Sequence, residues 1–184
     1  MLSVEDNEYL TGTGPGTPMG TFMRRFWMPF MLSDEIAEPD CPPVRVRLLG
    51  EDLLAFRDSK GRIGLVDEYC PHRRVSLFFG RNEACGIRCV YHGWKFDVDG
   101  NCVDTPSEPS DSKFKDKVKL KSYPVREKAG IVWAYMGPQA LMGGLPELEW
   151  MEVPEDHRYQ SRWYQECNYA QAVEGEIDSA HVSF

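Results

Sequence analysis

Two short segments, Cys70-Pro71-His72 and Cys89-Val90-Tyr91-His92, each place one cysteine close to one histidine, and sixteen residues separate the two pairs. Thiolates and imidazoles at this spacing are metal ligands. To share one centre, the segments must be tight loops at strand ends, and two such loops can clamp one group between them. A structural zinc ion also accepts two cysteines and two histidines. Zinc fingers, however, typically pair Cys-x2-4-Cys with His-x3-5-His, whereas here each half contributes one of each. The pattern therefore favours an iron–sulfur cluster with mixed ligands, two thiolates on one iron and two imidazoles on the other.

The wider segments Cys70-Pro71-His72-Arg73-Arg74 and Cys89-Val90-Tyr91-His92-Gly93-Trp94 resemble the Rieske 2Fe-2S domain of ring-hydroxylating oxygenase large subunits. In this kind of cluster, neutral imidazoles replacing two thiolates raise the reduction potential to roughly −150 to +300 mV, and single electrons are passed. Respiratory and photosynthetic Rieske proteins carry an extra cysteine in each loop, joined as a disulfide. Here neither loop has one, and the resemblance implies the lower-potential oxygenase type, since hydrogen bonds to the sulfurs help set the potential.

The rest of the chain is compatible with a soluble globular protein. Its 184 residues are 42% hydrophobic and 27% charged, enough to bury a core. A net charge of −8 argues against a nucleic-acid partner, which needs clustered Lys and Arg. No apolar run is long enough for a membrane span, and Met1-Leu2-Ser3-Val4-Glu5-Asp6 lacks the basic and apolar regions of a secretory signal. A cytoplasmic protein with no membrane partner is expected. Of six cysteines, Cys41, Cys85, Cys102 and Cys167 remain outside the quartet and are expected as free thiols.

The periodicity predicts a mainly β protein with a short N-terminal helix. Met19, Phe22, Met23 and Phe26 recur at helical spacing after Pro18, while Gly12 to Gly16 reads as a flexible connector. Val44, Val46 and Leu48 alternate with arginines, and further strands are expected at Leu53 to Phe56, Ile63 to Val66 and Trp94 to Val98. Tyr123 to Arg126 and Ile131 to Met136 frame a hairpin at Ala129-Gly130. These predict an antiparallel sandwich or barrel-like domain over 43–138, after a helical lead-in over 1–42. A linker and the opening of an α+β catalytic domain are expected over 139–184. Lys113, Lys115, Lys117, Lys119 and Lys121 read as a solvated face, with a docking patch for an acidic reductase as the alternative.

In the segment Asn168 to His181, helical spacing places Gln171, Glu174, Asp178 and His181 on one face. The pattern resembles the Asn, Glu-x3-Asp-x2-His motif that opens the catalytic domain of Rieske oxygenases, most closely in the phthalate dioxygenase group. The resemblance implies that His181 is the first ligand of a mononuclear iron(II) held by two histidines and one carboxylate. It implies equally that Asp178 links a cluster histidine of one subunit to an iron-ligating histidine of the next. The chain ends at Phe184, and His157 does not match the second iron histidine. A truncated large subunit, inactive alone in hydroxylation, is expected.

For the intact protein, the resemblance implies an NAD(P)H-dependent reductase as electron donor, and O2 and an aromatic acid such as phthalate as substrates. It also implies a head-to-tail homotrimer. Two alternatives remain open: a monooxygenase or O-demethylase of an aromatic acid, and a stand-alone Rieske ferredoxin.

Overall fold

The computed structural model describes residues 2–109 and 111–181, with the backbone alone described at His181. In chain order the regular elements are α1 (Val4–Thr11), α2 (Pro18–Met23), β1 (Trp27–Leu32), β2 (Val44–Leu48), β3 (Glu51–Arg57), β4 (Ile63–Asp67) and β5 (Arg81–Glu83). They continue with β6 (Gly86–Arg88), β7 (Lys95–Phe96), β8 (Cys102–Asp104), β9 (Ser122–Tyr123), β10 (Val125–Lys128), β11 (Ile131–Tyr135) and α3 (Tyr169–Ile177). The described strands form three antiparallel sheets, ordered β1-β11-β10, β2-β3-β4-β9 and β5-β6-β7-β8. The mainly β, antiparallel expectation holds.

The run Leu53-Leu54-Ala55-Phe56 explains how the sheets are layered. A continuous apolar run bounded by turns marks a strand buried on both faces, and all four residues are at most 1% exposed. Leu53 and Ala55 point into a core shared with Met31, Val132 and Ala134 of the first sheet. Leu54 and Phe56 point the opposite way, into a core with Ile87, Phe96, Cys70 and Cys89. The β2-β3-β4-β9 sheet is thus the middle layer, and one of its faces forms the floor beneath the metal-ligand candidates. Beside Phe56, Gly64 is required by space: a Cβ there would lie 2.9 Å from both the Phe56 ring and the Val98 Cα.

Local pairings follow the sequence signals closely. β2 and β3 form a hairpin with Leu48 opposite Glu51, and β10 and β11 pair around Ala129-Gly130 with Lys128 opposite Ile131. Between Trp94 and Val98 only Lys95–Phe96 is strand; the chain then turns at Asp97-Gly100 into β8. The stretch 1–42 is more than a helical lead-in, because it supplies β1, whose Trp27 lies opposite Tyr135 of β11. Pro29 within β1 lacks an N–H, which restricts it to an edge strand or a bulge. Here it has both, at the edge of its sheet beside a register shift.

The N-terminal segments are pinned. Ser3 caps α1 by accepting from the Asp6 N–H. Thr17 caps α2 by accepting from Gly20 N at 3.1 Å, and Pro18 occupies the first turn. The Thr17 hydroxyl also reaches the carbonyl oxygens of Gly12 (2.7 Å) and Gly14 (2.8 Å), so this glycine-rich stretch is an ordered turn and not the flexible connector expected. Among the described residues, no helix is long and apolar enough to cross a membrane.

Glu51 fastens α2 to the middle sheet. It accepts from Arg24 Nη1 at 2.6 Å, from the Tyr123 hydroxyl at 2.7 Å and from Lys121 Nζ. Burial opposes its charge, but these hydrogen bonds and the nearby cations outweigh burial and hold its pKa below the usual carboxylate range. A depressed folded-state pKa contributes stability above the ordinary carboxylate value that is lost as pH falls through the folded one. Glu51→Gln should therefore cost about 1–3 kcal/mol near neutrality. In urea denaturation followed across pH, that cost should shrink as the pH falls below the ordinary carboxylate value. A pH-independent cost would count against this account of Glu51.

Candidate metal centre

The two ligand segments are copies of one backbone design. In the first, Cys70 N donates to Val75 O and Arg74 N to Cys70 O, each at 2.9 Å; in the second, Cys89 N donates to Trp94 O at 2.9 Å and Gly93 N to Cys89 O at 3.1 Å. Each loop is thus closed between the same relative positions. Both loops also need a left-handed residue at the same place, supplied by Arg74 (φ 57°) and Gly93 (φ 73°). At Gly93 the absence of a side chain is a spatial need as well, since a Cβ there would come within 2.8 Å of Pro106 Cγ.

One loop follows β4 of the middle sheet, and the other tips the β6–β7 hairpin. Their sulfurs are buried, with Cys70 2% and Cys89 3% exposed, while His72 is exposed and His92 half-buried. The imidazoles lie side by side, with ring centroids 4.5 Å apart. The indole of Trp94 stacks on His72 at 4.5 Å and 8° from parallel, and Tyr91 lies 3.8 Å from His92. Sulfurs sit inside and imidazoles sit outside, two by two.

Electrostatics suit those roles. Burial first, and the adjacent Cys89, push the Cys70 thiol up to about 11, against which the backbone N–H groups of His72 and Arg73 act. Ligation therefore releases a proton, and the two N–H groups are already aimed at the resulting thiolate. Desolvation, then the charges of His92 and Arg73, lower the His72 pKa and favour the neutral imidazole that a metal needs. Cys70 lies against Cys89 and His72 against His92, and this two-by-two set suits a binuclear cluster, which asks each iron for two protein ligands. The residues present thus fit a 2Fe-2S group.

Charged braces hold the loops, and sequence reasoning did not single them out. Glu68, 5% exposed, accepts from Arg45 Nε (2.8 Å) and from the Ser76 hydroxyl, so it ties the two ends of the first loop together. Arg88 reaches the Gly93 carbonyl in the second. The one signal in the sequence is a charged residue next to each ligand loop, too common to stand out. The remaining thiols, Cys41, Cys85, Cys102 and Cys167, are free.

The C-terminal candidates lie on other elements. Asn168 caps α3 by accepting from Gln171 N, but the helix ends at Ile177, and Asp178 adopts ψ 98°. The Asp178 side chain accepts from Ala180 N at 2.9 Å and starts a separate 3-10 turn over Ser179–His181. Gln171 and Glu174 share the helix, and Asp178 and His181 do not continue its face as the spacing predicted. The side chain of His181, the expected iron ligand, lies outside the described residues. His157 is exposed in a turn of its own, over Glu155–His157. In the lysine row, Lys115 reaches Val103 O, Lys119 reaches Asn101 and Lys121 reaches Glu51, which favours a surface face tied to the fold over an open docking patch.

Known proteins resemble this chain. The family profile described as the Rieske [2Fe-2S] domain matches residues 26–124. The phthalate 4,5-dioxygenase oxygenase subunit of Pseudomonas putida is 52% identical over 185 aligned residues, covering all of this chain and 42% of that protein. The 3-chlorobenzoate-3,4-dioxygenase oxygenase subunit of Comamonas testosteroni is 48% identical, again over all of this chain and 42% of that protein. Among solved structures, dicamba monooxygenase with non-heme iron and dicamba superposes with a TM-score of 0.64 at 27% identity, over 73% of this chain and 40% of that one. The chain thus spans less than half the length of these relatives. A buried sulfur pair and an imidazole pair turned outward on twin loops, together with the profile match, show that the chain belongs to the Rieske [2Fe-2S] domain family.

Proposed function

We propose that this chain is the electron-transferring part of a terminal oxygenase that hydroxylates an aromatic acid such as phthalate, with Cys70 and Cys89 ligating one iron of its cluster and His72 and His92 the other. The observation that carries this reading is the segregation of two buried sulfurs from two surface imidazoles on loops of identical closure. A bound 2Fe-2S cluster supplies one-electron carriage. The chain's own residues do the rest. Backbone N–H groups of the first loop face the Cys70 sulfur, Trp94 fixes the plane of His72, and the middle sheet keeps water from the sulfurs.

For the whole protein the reading extends in four ways. Electrons come from an NAD(P)H-dependent reductase and are spent with O2 on the aromatic acid. His181 ligates a mononuclear iron(II), and Asp178 accepts N–H hydrogen bonds from a cluster histidine and an iron-ligating histidine of adjacent subunits, fixing their orientation. A homotrimer supplies that adjacency, and the protein works in the cytoplasm. A monooxygenase or O-demethylase is the second reading, favoured by the likeness to dicamba monooxygenase. The Asp178 and His181 segment argues against a stand-alone ferredoxin, which has no use for a second metal site.

Two experiments test these assignments. The purified chain should show the visible absorbance of an iron–sulfur cluster with two irons per chain, and His72→Ala or Cys89→Ala should abolish it. A colourless protein with stoichiometric zinc would end the cluster reading. In the full-length protein, Asp178→Asn should leave both metals bound while slowing oxidation of the reduced cluster, in the presence of O2 and substrate, by about 10–100-fold. Stopped-flow absorbance as fast as that of the parent protein would remove Asp178 from the electron path.

A further inference from the structure

The two loops share a backbone design but not a brace. In the first loop Arg45 acts on Glu68, beside the loop, and its side chain is 47% exposed. In the second, Arg88 is 18% exposed and its guanidinium takes the loop itself. Nη1 donates to Gly93 O at 2.6 Å and to Asp104 Oδ2 at 2.8 Å, and Nε donates to Glu83 Oε1 at 2.7 Å. Arg88 directly precedes Cys89, and Gly93 directly follows His92. One side chain therefore joins both ends of the second ligand pair and anchors them to β5 and β8. The planar fork makes this possible, since lysine presents a single donor head.

We infer that Arg88 is the positioning residue of the second ligand pair: it holds the Gly93 carbonyl, and through it the His92 backbone, while its charge, next in the chain to Cys89, offsets the Asp104 and Glu83 carboxylates that it bonds. The inference rests on the ligand assignment proposed above. Its electrostatic half has a sign. Reduction adds one electron to the cluster, so fixed negative charge nearby opposes it and positive charge favours it. Arg88, its two carboxylates and Arg81, which also pairs with Glu83, form a group of net charge zero. Removing Arg88 leaves −1, and removing one carboxylate leaves +1. A residue that served only to hold the fold would not move the potential in opposite directions in these two variants.

The test is a reductive titration of the cluster-loaded chain with dithionite, read by visible absorbance and by the EPR spectrum of the reduced state. Arg88→Gln should lower the midpoint potential, so that the reduced-to-oxidised ratio at a fixed poise falls severalfold, and Asp104→Asn should raise it. Arg88→Lys should keep the potential near the parent's but alter the EPR line shape, because the charge remains and the hold on Gly93 is lost. Potentials that do not move, or that move the same way in Arg88→Gln and Asp104→Asn, would overturn the inference. Should Arg88→Gln fail to hold a cluster, Arg88→Lys decides the matter, because an EPR line shape unchanged from the parent's would overturn the positioning role. A parent chain without cluster absorbance would instead sink the ligand assignment, which keeps the two failures apart.

Discussion

Everything in this fold is subordinate to burying two cysteine sulfurs while leaving two histidines, only a few residues away, at the surface. Within a regular strand, alternation would send Cys70 and His72 to the same face. A hairpin loop avoids this: the cysteine at its base points into the core and the histidine near its tip turns outward. Cys70 and Cys89 occupy the loop bases and donate their own N–H groups to close the loops. The closing bonds are backbone to backbone and satisfy groups that the core would otherwise leave unpaired.

That constraint explains the layering. Two sulfurs nearly free of water need a hydrophobic floor, and β3 supplies it with Leu54 and Phe56. A strand that gives one face to this floor and the other to a second core needs sheets on both sides. The β1-β11-β10 sheet closes the far side, locked by Arg57, which bridges from β3 to Ile36 O at 2.6 Å and to Glu127 of β10 at 2.8 Å. Arg57 is itself 8% exposed, and its charge is met by the Ile36 and Gly61 carbonyls as well as by the more exposed Glu127. Arginine is suited to such joints because its fork serves several acceptors at once.

How far the sequence reveals this depends on the range of each interaction. Ligand spacing and the hairpin at Ala129-Gly130 are local, and both were legible. The pairing of Trp27 with Tyr135 joins the two ends of the domain and leaves no periodic trace, so 1–42 read as a lead-in. The glycines near residue 14 read as slack because nothing local shows that Thr17 gathers two of their carbonyls. Helical spacing carried α3 one turn too far, because an aspartate that can accept from a backbone N–H two residues on competes with the helix for that turn. Asp178 does so. The arginine braces were illegible for a different reason: what separates Arg88 from the other arginines is its set of partners, the Gly93 carbonyl, Asp104 and Glu83, and residue type does not announce these.

The twin loops also differ where their designs should agree. The left-handed position is Gly93 in one and Arg74 in the other, and a side chain there costs on the order of 1 kcal/mol that glycine avoids. Arg74 recovers part of this by stacking its guanidinium 4.8 Å over Tyr69 and reaching Asp67 at 3.4 Å. The contrast fits the space around each loop. The second loop packs against Pro106 and leaves no room for a Cβ, and its brace is Arg88, which bonds the Gly93 carbonyl directly. In the first the left-handed Arg74, with its side chain 62% exposed, itself reaches back along the chain, and Arg45 holds the base through Glu68. One backbone closure is thus held by two different sets of side chains, and what selects between them is whether the neighbouring chain admits a side chain at the turn.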